Sequence, residues 1–181
     1  GVMEAALRTA YKVVEGEEAP MDAFVDVRGE GDETGRKVRT FKIGGTGPLT
    51  GAAAIYGNAC KNGAQIAVDE INAEGGDIQF ELNYQDDEHD AEKAVNAYNT
   101  LKDWGMQLSL GSVTSKPCEA TAAENYSDRI FALTPSASSV AVTEGKDNVF
   151  QMCFMDPNQG TASAQYIAEQ KLGTTIAIIW K

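Results

Sequence analysis

The chain has 181 residues, 43% hydrophobic and 23% charged, which is typical of a folded domain with a sizeable core. Its net charge of −12 and pI near 4.4 disfavour nucleic acid and anionic membrane surfaces as partners. The three cysteines, Cys60, Cys118 and Cys153, form no CxxC pair and are odd in number, so we interpret them as small buried thiols. No apolar run is long enough to span a membrane, and residues 1–40 lack the apolar region of an export signal.

The first 39 residues differ in character from the rest of the chain. Residues 1–14 are alanine-rich and predict a helix that stops at Gly16. Residues 15–38 are charged and rich in glycine, with residues 23–25 as their one strand candidate. We interpret residues 1–39 as a helix followed by a polar linker.

Residues 41–76 predict a strand, a glycine-rich loop and a helix in that order. Phe41 and Ile43 alternate with polar residues as in a strand, and glycines with Pro48 then break it. The helix ends at the glycine pair 75–76. This order opens a βαβ unit, whose first loop lies where α/β sheets bind ligands. The loop fits neither the dinucleotide nor the P-loop glycine pattern, so no nucleotide is expected there.

The same alternation continues to the end of the chain. Helices are predicted to begin near Asp90, Pro117 and Asp156, and residues 85–90 are predicted as a polar loop. The pattern predicts an α/β fold with a doubly wound, flavodoxin-like parallel sheet and a ligand crevice beside its first strand. The further strands are predicted at residues 78–83, 106–110, 129–133, 149–153 and 175–180.

Two hydroxyl-rich loops follow predicted strands, at residues 112–115 and 134–139. Hydroxyls and backbone N–H groups at a helix N-terminus bind a carboxylate without any cation. Serines also cap helices and shape turns, so from the residues alone both interpretations stay open. The one histidine, His89, and the acidic loop around it match no catalytic or calcium-binding motif. We therefore predict no catalysis, no metal site and no cofactor.

Several motifs in this chain occur together, in order, in one known family. They are Gly47-Pro48-Leu49-Thr50-Gly51, Tyr56-Gly57, Asp69-Glu70-Ile71-Asn72-Ala73, Gly111-Ser112-Val113-Thr114-Ser115, Thr134-Pro135-Ser136-Ala137-Ser138 and Phe154-Met155-Asp156-Pro157-Asn158-Gln159-Gly160. In these motifs residues 40–181 resemble the type I periplasmic binding proteins of ABC importers, in particular those for branched-chain amino acids. The resemblance implies a ligand-binding lobe at residues 40–156 and the truncated start of a second lobe at residues 157–181.

The resemblance also implies the roles of individual residues. In that family the ligand carboxylate is held by a hydroxyl and an N–H at the position of Ser115, with a further hydroxyl and N–H at Ser138. The carbonyl at Ser136 and the Ser138 hydroxyl receive the ligand ammonium, and Tyr56 and Asp156 border the cleft. The predicted ligand-binding residues are therefore Tyr56, Ser115, Ser136, Ala137, Ser138 and Asp156.

The resemblance further implies an extracytoplasmic receptor, not an enzyme, with an amino acid as ligand and an ABC permease as partner. His89 stands where several relatives have a disulfide cysteine, so that bridge is absent here. Ser138 replaces a threonine that is common in the family. Because the family holds its ligand between two lobes, we expect an incomplete fold whose exposed sheet edge promotes self-association.

Residues 1–29 resemble a different family, the catalytic domain of FeFe hydrogenases. The resemblance is carried by Gly1-Val2-Met3-Glu4-Ala5-Ala6-Leu7-Arg8-Thr9-Ala10-Tyr11, Val13-Val14-Glu15-Gly16 and Val27-Arg28-Gly29. Residues 1–39 contain no cysteine, so they cannot ligate an iron–sulfur cluster. A partial hydrogenase-type enzyme and a structural half-domain that pairs with another chain are the alternative interpretations.

Overall fold

The computed structural model describes residues 2–20, 30–31 and 37–178. Contacts divide the chain into two compact units, residues 1–41 with 66–81 and residues 42–65 with 82–181. The predicted domain boundaries stay predictions. The boundary at residue 156 coincides with the first residue of a helix, and the boundary at residue 39 lies inside a strand.

The first unit contains an N-terminal helix, the start of one strand, the end of a long helix and the start of the strand that follows it. Helix α1, Val2–Glu15, ends at Gly16, whose φ of 76° closes the last turn as predicted. Strand β1, Glu30–Gly31, pairs antiparallel with the start of β2, Lys37–Gly47. The strand candidate at residues 23–25 lies outside the described residues.

Helix α2, Ala54–Ala73, is tied to the next strand by one side chain. The Asn72 amide donates to the Phe80 carbonyl and its oxygen accepts the Phe80 N–H, both at 2.8 Å. Phe80 belongs to β3, Ile78–Asp86, and its ring lies 6.3 Å from that of Phe41. These contacts lie within the first unit and fix where β3 begins.

The sheet has the order β3-β2-β4-β5-β6, with β4 at Leu108–Ser112, β5 at Phe131–Thr134 and β6 at Val149–Gln151. The pairs β2–β4, β4–β5 and β5–β6 are all parallel. The first strand of the parallel sheet therefore lies between the second and the third. This order confirms the predicted flavodoxin-like, doubly wound topology and places a switch point between the ends of β2 and β4.

Three helices follow in the second unit: α3 at Ala91–Asp103, α4 at Ser115–Asp128 and α5 at Asp156–Glu169, with a short 3-10 helix at Val140–Val142. The Asp90 carboxylate caps α3 as predicted, because it accepts the N–H groups of Glu92 and Lys93. None of the described helices is both long and apolar enough to cross a membrane.

The core of the second unit consists of two clusters. One contains Tyr98, Leu101 and Met106, at the end of α3. The other lies between α4 and strands β5 and β6, and comprises Cys118, Ala122, Ala132, Ala137, Val142 and Val149. Of the three cysteines only Cys118 is buried, while Cys60 and Cys153 are half-buried, so the prediction of three buried thiols was wrong for two of them.

Three strand predictions differ clearly from the structure, and two others differ at their ends, since β5 begins at Phe131 and β6 ends at Gln151. Met106 precedes β4, because its N–H donates to the Leu101 carbonyl and still belongs to the turn that ends α3. Strand β3 continues to Asp86, where a polar loop was predicted, because that side chain binds a neighbouring loop. Residues 175–178 form no strand, since no described strand pairs with them, and residues 179–181 lie outside the described chain.

Candidate ligand-binding site

A cleft of about 290 Å³ lies beside the carboxyl end of β4 and the start of α4. Its walls combine an aromatic ring, an apolar side chain and three hydroxyls, contributed by Tyr56, Val113, Thr114, Ser115 and Ser136. Three of the six predicted site residues therefore line it. The cleft lies within the second unit, at the edge of the sheet where ligands of doubly wound folds bind.

The N-terminus of α4 borders this cleft with two free amides. Cys118 donates the first hydrogen bond inside the helix, to the Thr114 carbonyl, and Pro117 has no N–H. In the part of the chain that the structure describes, the N–H groups of Ser115 and Lys116 have no protein acceptor. Free N–H groups and the helix dipole together favour a bound anion at this position.

The Ser115 hydroxyl joins the two hydroxyl-rich loops. Its oxygen accepts the backbone N–H groups of Ser138 and Ser139, at 3.2 and 3.4 Å. Because the oxygen acts as acceptor in both contacts, the hydroxyl hydrogen remains available for an acceptor in the cleft. The N–H of Ser138, expected to face the ligand, is engaged by Ser115 instead.

The loop after β5 is held against the loop after β4 by further hydrogen bonds. The Ser136 hydroxyl donates to the Val113 carbonyl at 2.5 Å. The Thr134 hydroxyl donates to the Ser112 carbonyl at 2.7 Å and accepts the Ala137 N–H at 3.3 Å. The hydroxyls of Thr134 and Ser136 therefore shape this loop, as the structural interpretation of such residues expects. Ser136 also lines the cleft.

Two predicted site residues do not line the cleft. Ala137 is fully buried in the core, and its carbonyl accepts from Gln151 and Cys153. The exposed Asp156 begins α5, and its N–H donates to the Ser138 carbonyl at 3.0 Å. The structure thus brings Tyr56, Ser115 and Ser136 to the cleft and places Ser138 directly behind Ser115, whereas Ala137 lies in the core and Asp156 beside the site.

Asp86, the last residue of β3, is a structural residue that sequence reasoning missed. Asp86 accepts hydrogen bonds from Leu49 N–H at 2.8 Å, the Thr50 hydroxyl at 2.6 Å and Glu88 N–H at 2.9 Å. Desolvation raises the Asp86 pKa, but the bonds from Thr50, Glu88 and Leu49 outweigh it and hold the pKa below its ordinary value. Within the polar loop predicted at residues 85–90, Asp86 therefore has a structural role that no sequence pattern indicated.

Asp87, the residue after β3, is fully buried. Its Oδ1 accepts the His89 N–H at 2.9 Å, and its own N–H donates to the Gly47 carbonyl at 3.1 Å. Burial raises the pKa of this carboxyl, although the His89 N–H lowers it in part. The nearby Tyr84 hydroxyl is also buried, and burial raises its pKa as well. The two hydrogen bonds of Asp87 fix the loop that carries His89.

His89 itself is exposed and adopts a left-handed backbone conformation, with a φ of 62°. Its ring Nδ1 lies 2.9 Å from the Thr114 hydroxyl, at the edge of the cleft. Across residues 2–20, 30–31 and 37–178, no group of three or more histidine, cysteine, aspartate or glutamate side chains is placed to hold a metal ion.

Comparison with known proteins decides the family of this chain. A family model described as "Periplasmic binding protein" matches residues 40–180. The chain belongs to this family. The match covers the cleft and every residue of the predicted site, and it confirms the resemblance seen in the loop motifs. Residues 1–39 lie outside the match, so the hydrogenase-like character of residues 1–29 stays a prediction.

Individual relatives agree with this assignment. The chain is 36% identical over 143 residues to the Leu/Ile/Val-binding protein BraC3 of Rhizobium johnstonii. It is 33% identical over 144 residues to the leucine-, isoleucine-, valine-, threonine- and alanine-binding protein of Pseudomonas aeruginosa. These matches cover 76% and 77% of this chain but 38% of each relative. The chain thus spans well under half the length of the curated relatives that it matches.

A solved structure supports the fold in the same region. The branched-chain amino acid transporter substrate binding protein LivJ of Streptococcus pneumoniae, determined in complex with isoleucine, superposes with a TM-score of 0.67 at 32% identity. The superposition covers 73% of this chain and 39% of that protein. The sequence relatives and this solved structure therefore agree that the matched part of the chain corresponds to less than half of each longer protein.

Proposed function

We propose that residues 40–156 form the amino-acid-binding lobe of a substrate-binding protein for an ABC importer. The observation that carries this proposal is the free donor set beside the cleft, formed by the Ser115 hydroxyl and the N–H groups of Ser115 and Lys116. A donor set without a cationic side chain suits a carboxylate at a helix N-terminus. The names of the relatives support leucine, isoleucine or valine as the ligand class.

In the proposed complex the two charges of the amino acid bind on different loops. The carboxylate accepts from Ser115 and Lys116 at the start of α4, where the helix dipole adds to the attraction. The ammonium donates to the Ser136 carbonyl and the Ser138 hydroxyl on the loop after β5. The Tyr56 ring, 64% exposed, borders the place of the aliphatic side chain. No group in this arrangement acts as a nucleophile or base, so the proposed role is binding without catalysis.

The affinity of this lobe alone is expected to be low. Each hydrogen bond to an exposed charge contributes about 1.5–3 kcal/mol at best, and immobilising the ligand costs several kcal/mol. We therefore expect a dissociation constant in the millimolar range, or about −4 kcal/mol.

The remaining partner proposals follow from the family. An ABC permease would receive the ligand, and the chain would work outside the cytoplasm, as in the resembled receptors. We also propose self-association, because Phe131 and Phe150 stack at 5.4 Å near the sheet edge and both remain exposed.

Three related ligands test the proposed binding mode by isothermal titration and amide chemical shifts. They are L-leucine, 4-methylpentanoate, which lacks the ammonium, and 3-methylbutylamine, which lacks the carboxylate. Leucine should bind most tightly, the acid should still shift the amides of residues 115 and 116, and the amine should not. Equal binding of the amine and the acid would overturn the assignment of the carboxylate to α4.

A further inference from the structure

Thr114 occupies the N-cap position of α4 but does not cap the helix with its side chain. Its backbone is extended, with φ of −109° and ψ of 149°, as in a capping residue. Threonine at this position ordinarily accepts from the second or third amide of the helix. Here the third helical residue is Pro117, so the Lys116 N–H is the one donor left for such a cap, and the hydroxyl does not bind it.

The Thr114 hydroxyl is directed instead to His89. The two atoms, Thr114 Oγ1 and His89 Nδ1, lie 2.9 Å apart, within hydrogen-bonding distance for either tautomer of the ring. In this structure the Thr114 hydroxyl contacts the His89 ring and makes no bond to the Lys116 N–H. The contact therefore accounts for the uncapped Lys116 N–H at the start of α4.

The unusual backbone conformation of His89 places its ring next to Thr114. A φ of 62° is uncommon for a residue other than glycine, and it is fixed by the hydrogen bond from His89 N–H to the buried Asp87 carboxylate. The preceding Glu88 also has a positive φ, of 48°, and its N–H donates to Asp86. Two adjacent left-handed residues, each anchored to an aspartate, turn the imidazole toward Thr114.

We propose that His89 is a positioning residue for the ligand site. By holding the Thr114 hydroxyl, it prevents a side-chain cap on α4 and keeps the Lys116 N–H free for the ligand carboxylate. The role in ligand binding rests on the proposed function. The choice of the Thr114 hydroxyl between His89 and the Lys116 N–H, in contrast, exists in the ligand-free protein as well. Without the His89 imidazole, the Thr114 hydroxyl should accept the Lys116 N–H. Without the Thr114 hydroxyl, no side chain should cap this N–H whether or not His89 is present.

Hydrogen exchange of the Lys116 amide in the ligand-free protein tests the competition. In His89→Ala the freed threonine should cap the helix and slow this exchange about fivefold, the effect of one ordinary hydrogen bond. Thr114→Val alone should leave the rate unchanged, and the double variant His89→Ala/Thr114→Val should return to the wild-type rate. Unchanged exchange in His89→Ala, or no reversal in the double variant, would overturn the proposal.

Leucine titration of the same proteins tests the consequence for binding. His89→Ala should weaken binding about fivefold, and the added Thr114→Val should restore it, which a merely structural role of His89 would not produce. His89→Asn, which tolerates the left-handed conformation and keeps a polar atom near Thr114, should bind like the wild type. Glu88→Ala, with the same backbone strain but no contact to Thr114, is the matched control and should leave binding unchanged.

The two measurements separate this inference from the proposed function. If the wild type fails to bind leucine while Lys116 exchange follows the expected pattern, the ligand assignment is wrong and the role of His89 stands. If leucine binds but the double variant binds no better than His89→Ala, the proposed function stands and the role of His89 is refuted.

Discussion

Asp86 accepts the backbone N–H of Leu49 at 2.8 Å, and this contact fastens the loop after β2 to the end of β3. The Thr50 hydroxyl donates to the other oxygen of the same carboxylate. The loop that leads to Tyr56 is therefore fixed by an anion that belongs to a neighbouring strand. The position of one wall of the cleft depends on the charge of Asp86.

Replacement of Asp86 by asparagine should destabilise the protein by about 1–2 kcal/mol at neutral pH, because charge-assisted hydrogen bonds are lost. The folded pKa of Asp86 lies below its ordinary value of 3.8. Its contribution is therefore fully present above the unfolded pKa and is lost as the pH falls through the folded pKa. Urea unfolding of both proteins should show a constant difference above about pH 5 that shrinks below about pH 4.

Asp147→Asn serves as the matched control for this prediction. Asp147 forms a surface pair with Arg129, with Asp147 Oδ1 2.7 Å from Arg129 Nη1, and both side chains are largely exposed. Exposed ion pairs contribute little because water and salt screen them. A loss for Asp147→Asn as large as that for Asp86→Asn would contradict a special role for the loop contact.

Two glycines of α2 should respond in opposite ways to alanine. A Cβ on Gly57 would lie 1.9 Å from the Pro48 carbonyl oxygen, so Gly57→Ala should destabilise the fold by about 2–3 kcal/mol. Gly63 lies in the same helix with nothing within 4 Å of an added Cβ. Gly63→Ala should stabilise by about 0.5–1 kcal/mol, since alanine favours a helix interior. Thermal unfolding measures both, and equal effects would contradict the close approach of Gly57 to Pro48.

The proposed self-association should depend on the aromatic pair near the sheet edge. Phe150 lies on β6 and is 47% exposed, so Phe150→Lys should shift the protein toward monomer. Val13→Lys makes the same charge change at an exposed residue of α1 and should leave association unchanged. Sedimentation velocity over a concentration series measures this. A wild type that stays monomeric at tens of micromolar, an ordinary working range, would refute self-association.

The order of elements could be predicted from the sequence because its signals are local. Asp90 caps α3 through amides two and three residues away, and Gly105 ends the same segment with a φ of 93°. Alternating strands and helices then leave few topologies, and the parallel, doubly wound order follows from general rules. Met106 shows the limit of such signals, because an apolar residue after a helix fits either a strand or the core cluster in which it lies.

The candidate site could be predicted only in part. Ser115 and Ser136 were placed at the site by the family resemblance, because from the residues alone their hydroxyls fit helix capping as well as ligand contact. Ala137 lies in the core and does not line the cleft, and its N–H donates to Thr134 Oγ1. Two contacts of the site join residues far apart in sequence: Asp86 with Leu49, 37 positions away, and His89 with Thr114, 25 positions away. No local sequence pattern predicts such contacts.

Mapping of amide shifts tests most directly whether an amino acid binds at the start of α4. Amide shifts are followed during titration with isoleucine for the wild type, for Ser115→Ala and for the control Ser127→Ala on the exposed side of α4. We expect that the amides of residues 112–116 and 136–139 shift together, that Ser115→Ala weakens this response, and that Ser127→Ala does not. Shifts confined to other residues, or an unchanged response in Ser115→Ala, would contradict binding at the start of α4.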